Sequence, residues 1–577
     1  EELMEEGIFG VFVAPKDGKR ERCRELILEE LAKFVQKGVT QEEIDRSVAG
    51  GMTSFFSAME NPTDLVMEWL ETFFATGDEL EVFKTPEKYY QVKPDAVQKF
   101  VANYLDPFLM QEVNLVSLPE GKRELWQASK KREKKIEVDI LQLHQRSVPI
   151  EEPRFVKTLP DPASFKFEFP QPTEVFSLEN GLRVLFYHDD SLPLVTANLR
   201  FRDSEKFSKS REGLVVDLMM EMLIEGSTNS NKQENVEFFK ALGADYSFDS
   251  AGGAIACLNA NFETALERFF YVLREPAFKQ EALAKLKQLS ISGLQRSKDN
   301  PRKVAMRTLA CKVNAETDYE WTYDDAIELV NAFACKDLEV LHKEHLKPEG
   351  MVLSVAGGFD IEKVREQLST LLKQWDGARF VQREAPKRHF LAAEKIDVNM
   401  LRDQAVLMFG QPSPITVYDE DKVALNVLNF IAFYSLGSRL YQLRERTGLF
   451  YAAGGAFAAQ TGREPGFDYL MALLSPEKFE EAEQGMRDVV KNMAENGITE
   501  VELNEAKQLY LNTLVSMAST RASVAGALSS LETKGLGFDY YQRAWDRVRD
   551  MSVANINALC KKYCTTDKMV RIRVGRV

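Results

Sequence analysis

Apolar residues along this chain follow two periods, and the switches between them mark its elements. Glu174–Leu178 and Leu182–Tyr187 alternate as half-buried strands do, and Glu179-Asn180-Gly181 between them is hairpin turn chemistry. Leu194–Phe201 reads as a further strand. Gly213–Glu225 has helical spacing and is closed by Gly226. Farther on, Gln404–Phe409 reads as a strand, and a long helix is predicted from Asp421. Helices thus alternate with largely antiparallel strands, so the chain is expected to be α+β, with each sheet packed against helices.

One pattern occurs three times. Val92-x4-Val97-x2-Phe100-x3-Tyr104 precedes the strand-like Glu112–Leu118. Phe333-x4-Leu338-x2-Leu341-x3-His345 precedes Met351–Ala356, and Met551-x4-Ile556-x2-Leu559-x3-Tyr563 precedes Met569–Val574. Each places one apolar stripe on a short helix followed by a buried strand. Two of these copies extend further at a constant offset. Gly7 lies opposite Gly466, Gly38-Val39-Thr40 opposite Gly497-Ile498-Thr499, Glu43 opposite Glu502 and Tyr104 opposite Tyr563. In both, an apolar alternating run (Ile8–Val13; Phe467–Leu473) precedes a helix, the Gly-x-Thr break and another helix. The repeating unit is a whole domain, too long for a solenoid turn.

The expected organisation is a truncated domain at 1–122, a charged helix and Pro-rich linker at 123–165, a further domain at 166–382 and a last one at 383–577. The linker opens with Lys130-Lys131-Arg132-Glu133-Lys134-Lys135, a solvated helix face, and ends with Pro149, Pro153, Pro160 and Pro162. The last copy has a long stretch ahead of Gly466 and the first only six residues ahead of Gly7. The first is therefore expected to be the end of a domain whose beginning lies elsewhere.

Composition narrows the function classes. The chain has 577 residues, 44% of them apolar and 28% charged, which is ordinary globular composition. A net charge of −15 argues against nucleic acid and anionic membrane surfaces as partners. The best apolar run, Val423–Phe433, is interrupted by Asn426 and Asn429 and falls short of a membrane span. The first residues are acidic, unlike a signal peptide. Six cysteines in so long a chain are no disulfide framework, and Cys560 and Cys564 read as a structural pair on a helix. The cysteine usage favours a reducing compartment, cytoplasm or organelle matrix, without fixing the location.

The densest chemistry is Leu436-Gly437-Ser438-Arg439-Leu440 followed by Leu443-Arg444-Glu445-Arg446-Thr447-Gly448-Leu449-Phe450-Tyr451. This segment resembles the "GGxxSRLxxxLREKxGLxY" stretch of the insulinase/pitrilysin-like zinc metallopeptidases, which include the mitochondrial processing peptidases. Leu178–Val184, Gly213–Ser227, Lys347-Pro348-Glu349-Gly350-Met351 and Gly358-Phe359-Asp360 are similar to other segments of that family, in the same order. The resemblance implies four homologous domains arranged as two halves that close around a peptide. It also implies a helix with His-x-x-Glu-His in the first half, where zinc and a general base reside.

That motif is absent from this sequence. The five histidines are His144, His188, His342, His345 and His389, and none completes it. The corresponding slot reads Val215-Val216-Asp217-Leu218-Met219-Met220-Glu221-Met222, whose two carboxylates without imidazole make a poor zinc site. His345 occupies the place of Tyr104 and Tyr563, so His342 and His345 read as packed helix residues. This chain is expected to hold no cofactor of its own and to be inactive alone, with zinc on a missing N-terminal half, in the same or a separate polypeptide.

By resemblance, Arg444 and Tyr451 are the pair that the second half contributes. Arg444 would bind a substrate carbonyl or carboxylate, and Tyr451 would donate its phenolic proton to the oxyanion. A bend at Gly448 would bring them together. Gly437 and Ser438 allow a tight start to the helix, with close backbone approach to substrate as a second possibility. The substrates implied are short unstructured peptides. Two other readings stay open: an inactive structural or scaffold subunit of the same fold, and a free-standing hydrolase with its own site.

Overall fold

The computed structural model describes residues 9–15, 18–105, 111–115, 132, 166–204, 210–315, 317–375, 380, 393–402 and 404–577. The linker at 123–165 lies outside them apart from Arg132. The first helices are α1 (Arg20–Lys37), α2 (Gln41–Glu60), α3 (Pro62–Thr76), α4 (Thr85–Gln91) and α5 (Pro94–Tyr104). Contacts divide the chain into two bodies. One holds α1 and α5; the other holds α2–α4 with everything described from residue 166 onward.

Residues 9–13 and 111–115 form no strand, contrary to the expectation for Ile8–Val13 and Glu112–Leu118. Alternating apolar residues become a strand only where a neighbour completes the ladder and covers one face. Here Phe12 is 96% and Val113 92% exposed, so these stretches have neither.

In the larger body, β1 (Glu174–Ser177), β2 (Arg183–His188) and β3 (Leu194–Phe201) lead to α6 (Arg211–Leu223). Next come the short β4 (Gly226–Ser227) and β5 (Ser230–Asn231), α7 (Lys232–Ala241), β6 (Asp245–Asp249) and β7 (Gly252–Leu258). Six helices follow, interrupted by one strand: α8 (Asn259–Arg274), α9 (Gln280–Lys298), α10 (Pro301–Val313), α11 (Tyr323–Ala332), α12 (Cys335–His345), β8 (Met351–Gly357) and α13 (Ile361–Leu371). The remainder contains β9 (Lys395–Asn399), β10 (Ala405–Pro412), α14 (Asp421–Asn429), a π-helical turn (Phe430–Tyr434), α15 (Arg439–Thr447), β11 (Ala452–Ala459) and β12 (Phe467–Leu474). It closes with α16 (Phe479–Asn496), α17 (Glu500–Ser516), α18 (Arg521–Lys534), α19 (Tyr540–Arg549), α20 (Val553–Tyr563) and β13 (Val570–Gly575).

Apart from the short pair β4–β5, the strands build two sheets of one plan. The first runs β1-β2-β8-β3-β7-β6 and the second β9-β13-β10-β12-β11. In each, one pairing is parallel, β2 with β8 and β9 with β13, and the other pairings are antiparallel. Both faces of each sheet are buried. Val184, Phe186, Val195, Ala197 and Leu199 point to a core with α6 and α8, while Ala405, Leu407 and Phe409 point to one with α14 and α16.

The opposite faces are covered by an exchange of helices. Helix α10 lies on β10 and β13, where Ala305, Leu309 and Val313 pack with Val406, Met408 and Ile572. Helix α18 lies on β3 and β8, where Ser529 donates to Asn198 Oδ1 at 2.6 Å and Glu532 meets Arg183 at 2.9 Å. Each fully buried Leu on these helices, such as Leu309 or Leu528, contributes about 1.5–3 kcal/mol by leaving water.

The internal repeat is visible in backbone geometry. Helices α1 and α16 both have 18 residues, and α5, α12 and α20 all have 11. Gly38 and Gly497 end α1 and α16 with φ/ψ of 66/−158° and 72/−157°, a region nearly closed to side chains. Beside them stand Gln98 and Asn557, themselves equivalent positions; Asn557 Oδ1 accepts from the Ile498 N–H at 2.8 Å.

Among the described residues, one helical run, Asp421–Thr447, is long and apolar enough to cross a membrane by length and composition, and most of its apolar window is buried in the fold. It is broken where Ser435 turns extended before α15.

Candidate functional site

The site is built where α15 returns into the second sheet. Ser438 caps the helix from an extended conformation, with its hydroxyl buried and without a capping bond to the helix. Gln442 donates to the Gly437 carbonyl at 2.8 Å, tying the first turn to the preceding loop. Arg439, next in sequence, is structural: it clamps Glu502 through two bonds of 2.7 and 3.0 Å and also reaches the Gly497 carbonyl at 2.8 Å. Burial works against the Glu502 carboxylate, yet the hydrogen bonds from Arg439 and Thr499 hold it below the usual range. The helix is thereby fixed to the first turn of α17 and the end of α16.

Gly448 ends α15 in the left-handed region at φ +60°, its N–H donating to the Arg444 carbonyl at 2.8 Å. That bend sends Leu449 and Phe450 into the core and leaves the Tyr451 side chain 60% exposed at the head of β11. Arg444 reaches back across the bend: its Nε donates to the Tyr451 carbonyl at 2.9 Å, and its guanidinium also pairs with Glu445 and lies 5.3 Å from the Tyr441 ring centre. The Tyr451 phenol meets Ser475 Oγ at 3.1 Å, and Lys478 donates to the Gly448 carbonyl at 2.7 Å. The structure brings Arg444 and Tyr451 together and places Gly437 and Ser438 at the other end of the same helix. Sequence reasoning missed Ser475 and Lys478, which follow β12 and carry no motif signal.

Helix α6 contains Val215–Met222, the stretch whose two carboxylates the sequence offered as a poor zinc site. Val215, Val216, Leu218, Met219, Met220 and Met222 are buried, while Asp217 and Glu221 are on its exposed side. Among the described residues no group of three or more His, Cys, Asp or Glu is arranged to hold a metal. On α6 the donor set, two carboxylates without imidazole, does not fit zinc. His342 is buried with Nε2 2.8 Å from the Leu273 carbonyl, so that nitrogen carries the proton and donates. His345 packs edge-on against Phe201 at 4.9 Å between ring centres. Cys560 and Cys564 are buried free thiols at the end of α20.

His342 also predicts a pH effect. Burial lowers its pKa below the ordinary value. The unfolded chain takes up a proton near pH 6.5 and the folded one does so only at lower pH, so stability falls as pH drops below about 6.5. Denaturant unfolding at pH 7.5 and 5.5 should show a loss of about 1 kcal/mol that His342→Gln removes.

A family profile described as peptidase M16 inactive domain matches residues 333–510, which include α14, α15 and the Arg444–Tyr451 bend. An uncharacterized zinc protease of Rickettsia felis is 24% identical over 355 residues, covering 59% of this chain and 83% of that protein. The non-peptidase homolog YmxG of Helicobacter pylori is 22% identical over 388 residues, covering 66% and 88%. Among solved structures, the peptidase M16 inactive domain from Pseudomonas fluorescens superposes with a TM-score of 0.63 at 22% identity, covering 70% of this chain and 98% of that one. A protease from Helicobacter pylori gives 0.64 at 17% identity, covering 71% and 100%. These structural likenesses establish the shared fold.

Proposed function

We propose that this chain, an inactive portion of the M16 (insulinase-like) zinc metallopeptidase family, serves a peptidase as its substrate-handling part. The observation that carries the reading is the Arg444–Tyr451 pair, held at one exposed bend by the Nε bond to the Tyr451 carbonyl while the phenol faces solvent. A guanidinium anchored at this bend and the exposed tyrosine that follows it suit the carbonyl oxygen of a bound peptide: the first is a fixed cation and the second a proton donor. Zinc and the general base would belong to a homologous N-terminal half, joined to this chain or separate. Closing on that half would form a chamber that admits short unstructured peptides and excludes folded proteins. The net charge of −15 argues against nucleic acid as a ligand.

The test is reconstitution with a zinc-bearing half carrying His-x-x-Glu-His. Peptide cleavage that is lost on chelation is expected, and Arg444→Ala should lower kcat/KM by about 100-fold, the loss of a charged hydrogen bond to the substrate carbonyl. Tyr451→Phe should lower kcat more than it raises KM. Full activity in the double variant would remove both residues from substrate handling. A second reading, an inactive scaffold subunit, is favoured by the name of the Helicobacter relative, a non-peptidase homolog. It predicts a stable complex with the other half and no cleavage.

A further inference from the structure

We propose that the outer edge of β11, from Ala452 to Gly454, is a main-chain docking strip for an extended peptide. The two sheets share one strand order, so β11 holds the same edge position as β6. Open edges invite pairing with other chains and are ordinarily guarded by charge, proline or shortness. Strand β6 carries Asp245 and Asp249, β9 at the other margin of its sheet carries Lys395 and Asp397, and β1 is four residues long with Glu174. Strand β11 reads Ala-Ala-Gly-Gly-Ala-Phe-Ala-Ala, with neither a charge nor a proline.

Among the described residues its two ends are already occupied: Tyr451, just before it, donates its N–H to the Leu473 carbonyl and accepts from Arg444, and Asn429 closes the far end. The Asn429 side chain accepts from the Phe457 N–H at 2.8 Å and donates to the Phe457 carbonyl at 3.0 Å, taking the place of a neighbouring strand. Among the described residues no side chain bonds the backbone of Ala452–Ala456. Ala452 is exposed, Ala453 and Gly454 are half-buried, and a Cβ built on Gly454 meets no atom within 4 Å. An arriving strand therefore finds backbone without obstructing side chains.

Arg444 stands at the head of this strip. Its Nε holds the Tyr451 carbonyl and its Nη1 pairs with Glu445, so Nη2 is the nitrogen placed to take a carbonyl or carboxylate of the docked chain. Affinity from main-chain bonds depends little on side chains, which makes extendability rather than sequence the criterion of selection. The strip deepens the peptide-handling role proposed above, without requiring the zinc-bearing half for binding.

The experiment uses the full chain and a fluorescein-labelled, unstructured peptide of about 15 residues, followed by anisotropy and by amide hydrogen exchange. N-methylation of alternate peptide amides should weaken binding at least about tenfold, while scrambling the sequence should change it less than about twofold. Bound peptide should slow exchange at residues 452–455. Ala453→Pro should weaken binding where its melting profile is preserved; the N-methylated peptides give the answer without any variant. Equal affinity of methylated and plain peptide, or protection at β6 and not at β11, would overturn the proposal. So would concentration-dependent protection of 452–455 without peptide, which would give the edge to a second copy of the chain. Reconstituted cleavage separates the two readings: its failure alongside protection at β11 overturns the peptidase role and leaves the strip, and the converse result overturns the strip alone.

Discussion

Replacing Arg521 by alanine should destabilise the larger body, α2–α4 with the residues from 166 onward, by about 3–5 kcal/mol, the cost of stranding a buried charge. Arg521 opens α18, and its side chain is 4% exposed. Its Nη1 meets Glu60 Oε1 at 2.5 Å, and the same carboxylate, 8% exposed, accepts the Arg521 backbone N–H at 3.0 Å. Its Nη2 reaches the Asp189 carbonyl at 3.2 Å and Ser191 Oγ at 3.1 Å. One guanidinium thus ties the exchanged helix to the end of α2 and to the turn between β2 and β3. Truncation leaves the Glu60 carboxylate, 8% exposed, without its guanidinium partner. Asp189 Oδ2 lies 3.3 Å from the same Nη2 but is 31% exposed and keeps solvent contact. Removing the two buried charges with Arg521→Met and Glu60→Leu should therefore restore most of the loss, because well-packed apolar groups replace a buried pair at little cost. Denaturant unfolding gives the magnitude, and amide exchange in α2 gives the location. A loss below about 1 kcal/mol for Arg521→Ala would mean that α2 is held mainly by other contacts, such as Thr53 donating to the Gly243 carbonyl.

The parts of this fold legible in the sequence are those where one residue type is required locally. Gly38 and Gly497 stand out because their positive φ admits little else, and Thr499 with Glu502 forms a capping box at the start of α17. The hairpin at 174–188 and strand β3 were readable from alternation and turn chemistry. The same alternation misled at Ile8–Val13 and Glu112–Leu118, since a strand is a property of a pair and the pattern does not say whether a partner exists.

The exchanged helices were illegible for the opposite reason. Arg521–Lys534 is rich in Ala, Ser and Gly and has only a weak apolar stripe, because it is contacted by its own domain on one side and by β3 and β8 on the other. At the candidate site, Arg444 and Tyr451 were singled out by resemblance, and the bend between them was expected at Gly448, where α15 ends in a left-handed cap. Ser475 and Lys478 were not, since they approach from the turn after β12. Arg439 shows how a motif mixes purposes: it lies beside the pair in sequence but points away to Glu502.

Asn429 carries the second large expectation. In the sequence it merely interrupts an apolar run; in the fold its amide is buried and satisfies both backbone groups of Phe457. Asn429→Ala should cost about 2–4 kcal/mol, since two buried polar groups lose their partners together. Leucine should not rescue the loss, because the groups left bare belong to the backbone. Asn429→Asp separates packing from polarity. An ionised carboxylate still accepts the Phe457 N–H but faces the Phe457 carbonyl with a second acceptor, so near neutral pH this near-isosteric change should be at least as costly as alanine. Lowering the pH to protonate the introduced carboxyl supplies a donor again and should recover part of the loss relative to Asn429→Ala under the same conditions. Amide exchange at residues 456–458 should rise in all three variants at neutral pH. If Asn429→Asp proves as stable there as the parent chain, Asn429 is not the cap that closes the far end of the β11 edge.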